Sequence, residues 1–222
     1  MTGDQLIKFA CERAAAALGK LALELGPDRV GERKQLQPEF RKALCERMGD
    51  RVSQFEKKHK LPGWTDHLGG VDIIVHDKAG VLPQYFCELK WCHSRAELGW
   101  TLWDIYKMIA AQQLPGVHGC YVVAGAPEGF WESEEHCAPL FKTGSWRSLD
   151  LFQCFREDWE ELLGGGTARL ICTPASIETR LVADIPVTMR AKPWRLRAIA
   201  VGPVGSERLL FDGDWPAGMA AI

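Results

Sequence analysis

Two short apolar runs separated by seven residues, GVDIIVH (70–76) and QYFCELKW (84–91), constrain this chain more than any other feature. Both are rich in the β-branched and aromatic residues that suit a pleated surface. The connector DKAGVLP holds a turn-like Lys-Ala-Gly, so the runs read as an antiparallel hairpin. Each run nevertheless carries charge: Asp72 in the first, Glu88 and Lys90 in the second. Strand interiors are depleted in carboxylates, and a buried charge is costly unless it is paired or holds a metal. Either these residues face water or something compensates them.

Side chains alternate faces along a strand, so Glu88 and Lys90 share a face with Phe86, while Cys87, Leu89 and Trp91 take the other. Strand pairing across the short connector would bring Asp72 toward Glu88 and Lys90 at one end of a sheet. Two carboxylates brought together repel and hold protons more tightly unless a cation sits between them. Hard oxygen ligands with open water positions suit Mg²⁺ or Mn²⁺. A neighbouring ammonium can orient or deprotonate a water, or neutralise charge developing on a phosphate. Phosphodiester hydrolysis needs such a set. The competing reading makes the three an exposed cross-strand charge pairing, a common arrangement that contributes little. The run VDIIV opposes it, because little else there marks a wet face.

The rest of the chain alternates between helical and strand patterns. Residues 4–25 place Leu6, Ile7, Ala10, Ala14, Leu18, Leu21 and Leu25 at helical spacing, and Gly26-Pro27 stops that helix. Pro38 suits the first turn of a second helix, whose stripe runs Phe40, Leu44, Met48, Val52, Phe55. A helix over about 95–113 carries Leu98, Leu102, Ile105 and Ile109 on one face, and GCYVVAGA (119–126) reads as a wholly buried strand. An acidic stretch around 150–163 reads as helical, ARLICTP (168–174) as a strand, and LVADIPVTM with PWRLRAIAVG as a late strand pair. The expectation is one α/β domain over 1–222 with a mixed central sheet flanked by helices, ending in a loose tail at 212–222.

The order over about 38–174, with Asp72, fifteen intervening residues and Glu88-Leu89-Lys90, resembles the D-(x)n-ExK signature of the PD-(D/E)xK nuclease superfamily. That resemblance implies a restriction-endonuclease-like αβββαβ core, with additions at both ends. It implies Mg²⁺ (or Mn²⁺) held by Asp72 and Glu88, catalysis by Asp72, Glu88 and Lys90, and an endo- or exodeoxyribonuclease acting on DNA. Val71 stands where some members carry proline before the aspartate. An upstream helical glutamate is common in the family, and Glu24, Glu32, Glu39 or Glu46 could serve. The Gln-xxx-Tyr pattern of some branches is absent, and LWDIYKMIAAQQ offers Asp104, Lys107, Gln112 and Gln113 instead. The alternative is a non-catalytic member of the same fold, serving as a nucleic-acid-binding or protein-interaction module.

Charge is segregated on a chain of net charge −2. Residues 29–60 carry ten Lys/Arg against five Asp/Glu, which suits contact with a polyanion. Residues 127–163 carry nine acids against three bases, which repels phosphate. Eight scattered cysteines without a CxxC pair read as reduced core thiols. No apolar run reaches membrane length and the N-terminus lacks a secretory pattern, so a cytoplasmic protein without membrane contact is expected. Cleavage of both strands of a duplex by one site per chain would call for a homodimer. Asp66, His67, His76 and His93 flank the strands without an assigned role. Core packing is the expected use of most of the nine tryptophans, with base stacking by AKPWRLRA as the rival.

Overall fold

In the computed structural model, which describes residues 1–26, 29–54, 70–112, 114–133, 138–150, 176–189 and 192–202, the hairpin forms. Strand β2 (Ile73–His76) runs antiparallel to β3 (Pro83–Trp91), with Ile73 opposite Cys87 and Ile74 opposite Phe86. The turn is held by Asp77, whose Oδ1 accepts from the Val81 and Leu82 amides at 2.8 and 3.3 Å. Gly80 takes φ +72° there, a conformation that side-chain-bearing residues avoid.

The first helix, α1 (Gly3–Leu25), buries its expected stripe from Leu6 to Leu18, but in its last turns Ala22 is buried while Leu21 is half-buried and Leu25 exposed; it begins with a capping box between Thr2 and Gln5. A π-helical turn, Glu32–Leu36, leads directly into α2 (Gln37–Met48). The expected stripe continued through Val52 and Phe55, but the helix stops at Met48 because Gly49 adopts φ +60°. Val52 instead opens a short strand, β1 (Val52–Gln54), paired antiparallel to β2 through Val75. Phe55 lies outside the described residues.

The helix expected over 95–113 is broken at Trp100 into α3 (Arg95–Gly99) and α4 (Thr101–Ala111). It is the crossover to β4 (Gly119–Pro127), which lies parallel to β3. A one-turn helix, α5 (Glu128–Trp131), follows. Strand β5 (Arg147–Asp150) pairs with β6 (Ser176–Val187), and β6 with β7 (Trp194–Val201), as the late strand pair required. Among the described residues the result is a seven-stranded open mixed sheet in the order β1-β2-β3-β4-β7-β6-β5. The acidic stretch beyond 150, the strand candidate at 168–174 and the tail at 212–222 lie outside the described residues.

Alternation along β3 feeds two cores. Phe86 joins Leu98, Leu102, Ile105 and Met108 under α3 and α4 on one face. Cys87, Leu89 and Trp91 join α1 and α2 on the other, and Val122 and Val123 of β4 divide in the same way. Both faces of the central strands are therefore covered, as a parallel β-α-β crossover requires. Trp194 stacks on Trp91 with centroids 4.6 Å apart and is 6% exposed, so it packs the core and offers no platform for a base. The described cysteines, Cys11, Cys45, Cys87, Cys92 and Cys120, are free thiols. No described helix is long and apolar enough to cross a membrane.

Candidate functional site

The hairpin register, carried one step beyond Ile73 and Cys87, sets Asp72 opposite Glu88. Directly opposed residues of an antiparallel pair point to the same face. Asp72 lies one residue before β2, and two donors fix its carboxylate there. Its Oδ2 accepts from the Leu89 amide at 2.9 Å, and its Oδ1 accepts from Gln37 Nε2 at 2.8 Å. Gln37 opens α2 on the opposite side of the sheet, so the end of the hairpin is clamped by both layers. The negative charge of Asp72 bears directly on Glu88 and adds to what holds its proton.

Glu88 is 2% exposed, which removes the reading of an exposed charge pair for this residue. Its compensation comes from α4. Lys107 Nζ lies 2.7 Å from Glu88 Oε1, 3.2 Å from Asp104 Oδ1 and 3.2 Å from the Gly70 carbonyl oxygen, to which it donates. Lys90, two residues along β3 from Glu88, sits between Asp104 Oδ2 at 3.7 Å and Glu32 Oε2 at 3.8 Å. Glu32 also accepts from the Trp91 amide at 3.4 Å. Charges thus alternate along a chain from Glu32 through Lys90, Asp104 and Lys107 to Glu88 and Asp72. Among the described residues, four carboxylates share two ammonium groups, a deficit of two positive charges in a partly dry site.

Titration follows from that deficit. Burial pushes Glu88 well above the usual carboxylate range, and Lys107 only partly offsets it. Asp72 and Glu32 are raised by burial too, against the pull of the Leu89 amide on the first and Lys90 on the second. Burial alone would lower both lysines. Asp104 and Glu32 outweigh it at Lys90, as Glu88 and Asp104 do at Lys107, and both end above the ordinary ammonium value. Both lysines are therefore cations at neutral pH.

Of the four upstream glutamates that could have served, Glu32 reaches the site, while Glu46 pairs with Arg13 at 3.0 Å. The π-helical turn aims it there, an irregularity that sequence periodicity does not announce. Asp104 and Lys107 were visible as polar residues at i, i+3 beside the stripe of α4, but nothing in the sequence marked their convergence on Glu88. Gln37 carried no signal. Gln112 donates to the Val201 carbonyl at 2.5 Å instead of joining the site, and Gln113 lies outside the described residues. His76 lies 2.9 Å from Ser53 Oγ, and His93 is 3.1 Å from the Val30 carbonyl with its ring edge-on to Trp194. Neither points to chemistry. Asp66 and His67 lie outside the described residues.

Among the described residues no group of three or more His, Cys, Asp and Glu side chains is arranged to hold a metal ion. The donor set fits a different kind of ion site. Mg²⁺ is typically held by one or two carboxylates, its remaining positions filled by water or phosphate oxygens. Asp72 and Glu88 supply two opposed carboxyls, in a cluster whose described residues are short of two positive charges. Glu88 Oε1 is fully buried and, despite its close ion pair with Lys107, makes no aligned hydrogen bond. Compared with protein-family models, curated proteins and solved structures, the chain matches none.

Proposed function

We propose that this chain is a divalent-metal-dependent nuclease that hydrolyses phosphodiester bonds in DNA, built on a restriction-endonuclease-like core. The observation that carries this reading is the opposition of Asp72 to Glu88 at the end of the hairpin, with Lys90 two residues along the same face. The element order α2, β1-β2-β3, α3–α4, β4, with β3 parallel to β4, is compatible with the αβββαβ core of the PD-(D/E)xK superfamily.

In this reading Asp72 and Glu88 hold Mg²⁺ or Mn²⁺. The ion, when bound, supplies Lewis-acid polarisation of a phosphoryl oxygen and a more acidic water. Lys90 acts as a cation. Its raised proton affinity makes it a poor base, so its part is to hold a phosphate oxygen or an attacking water and to offset negative charge in the transition state. Asp104 and Glu32 flank its ammonium at lengths too great for firm hydrogen bonds, which leaves donors for a substrate. Gln37 and the Leu89 amide orient Asp72. Arg33 and Lys34, exposed on the turn that delivers Glu32, are suited to the flanking phosphates of a polyanion.

Plasmid nicking in Mg²⁺ or Mn²⁺ tests the proposal. Wild-type protein should cleave, Lys90→Ala should lose at least about 100-fold in rate while still binding Mn²⁺, and Asp72→Ala should lose both. A wild-type protein that binds Mn²⁺ yet leaves plasmid, linear duplex and single strands intact would instead indicate the non-catalytic module. If both substitutions alter stability alone, the three residues are an ordinary ion-pair cluster.

A further inference from the structure

Lys107 is the residue of this cluster that the nuclease reading leaves without a task. It is buried on α4 and is the cation closest to Glu88, at 2.7 Å from Oε1. That oxygen is also one a metal ion would need. Two alternative acceptors already stand within reach of the same ammonium, Asp104 Oδ1 and the Gly70 carbonyl oxygen, each at 3.2 Å. Two fully buried carboxylate oxygens around it, Glu88 Oε1 and Asp104 Oδ2, lack aligned hydrogen-bond donors. The cluster therefore has a ready harbour for Lys107 if an incoming ion takes its place at Glu88.

Resting on the metal-dependent reading of this site, we propose that Lys107 competes with the divalent ion for Glu88. In the metal-free protein its ammonium serves as the counter-charge of the acids. On metal entry it withdraws onto Asp104 and Gly70, keeping α4 docked while Glu88 turns to the ion. Lys90 is differently placed: its ion pairs are with Glu32 and Asp104, so it need not yield the same oxygen. Metal affinity is then set by an exchange of cations, and Lys107 lowers it.

The test is calorimetric titration of the full chain with Mn²⁺, for wild type, Lys107→Met, Lys107→Gln and Lys90→Gln. Removing one positive charge a few ångströms from a divalent ion should tighten binding by about tenfold even with water-like screening. The expected result is a Kd lowered about tenfold in both Lys107 variants, with a smaller change in Lys90→Gln. Thermal melts supply a second readout. Metal-free Lys107→Met should melt below wild type, and Mn²⁺ should raise its midpoint by more than it raises the wild type's. The Gln variant retains a donor for Gly70 and guards against a fold lost with Met. Wild-type binding with equal or weaker affinity in both Lys107 variants would overturn the competition alone. Equal tightening in Lys90→Gln would also overturn it, leaving only general electrostatics. No Mn²⁺ binding by wild type or by any lysine variant would overturn the metal-dependent reading along with it.

Discussion

Two charged clusters on the same sheet show how differently one set of residue types can be used. On β6 and β7, Asp184 accepts from Arg195 Nε at 2.6 Å and from Arg197 Nη2 at 3.0 Å, and Glu128 accepts from Arg195 Nη1 at 3.1 Å. Two acids meet two arginines, partly open to solvent, with aligned donors. Although burial works against it, Asp184 is held below the usual carboxylate range by those guanidinium groups. At the end of the β2–β3 hairpin, four acids meet two lysines in a drier setting. There Glu88, Asp72 and Glu32 are all pushed up. The first cluster is balanced in charge, two acids against two arginines. Among its described residues the second is short of positive charge, and burial with too few cations leaves Glu88 raised.

The contrast can be broken at several points. The largest effect is expected from Gln37→Ala, which removes the donor to Asp72 Oδ1 from the far side of the sheet. An outer partner of a ligand of this kind is worth about tenfold or more in metal affinity, so Mn²⁺ titration should show at least that loss. The analogous removal of Arg195 from Asp184 should leave Mn²⁺ affinity unchanged.

Substitutions that delete one carboxylate should have opposite signs in the two clusters. Glu88→Gln relieves the excess of buried acids and is expected to stabilise the metal-free protein by about 1 kcal/mol. Asp184→Asn weakens two charge-assisted hydrogen bonds and is expected to destabilise it by about 1 kcal/mol, after allowance for solvent screening. Denaturant melts in the presence of a chelator measure both. Equal signs would erase the distinction.

The smallest effect is the dependence of those differences on pH. A carboxyl whose folded value lies above its unfolded one contributes stability below the unfolded value, and this is lost as pH rises through the folded one. For Glu88 the unfolded reference is 4.5, so the advantage of Glu88→Gln should grow as pH increases above it. Asp184 has the opposite sign: its contribution is present above its reference of 3.8 and is lost as pH falls through its lower folded value. The deficit of Asp184→Asn should therefore shrink in acid. Melts across the range from about pH 2 to about pH 9 would show the two curves diverging in opposite directions.

Much of this arrangement is legible in the sequence because β periodicity is strict. Once the runs at 70–76 and 84–91 pair, the positions of Glu88 and Lys90 relative to Phe86 follow from alternation, and the register sets Asp72 opposite Glu88. The hairpin, the buried strand β4 and the stripe of α4 were readable for the same reason. What was not legible depends on local breaks in periodicity or on contacts distant in sequence. Gly49 turned the end of a presumed helical stripe into β1. The π-helical turn singled out Glu32 among four candidates. Lys107 meets Glu88 across nineteen positions of sequence and two layers of structure, and no spacing rule connects a helix residue to a particular strand residue.

The most direct test of the central claim is anomalous diffraction from a crystal of the protein soaked in MnCl₂. The cluster described here predicts a manganese peak between the Asp72 and Glu88 carboxylates, with Lys107 drawn back toward Asp104. A well-ordered site with Lys107 still against Glu88, and no anomalous peak within coordination distance of either carboxylate, would contradict it.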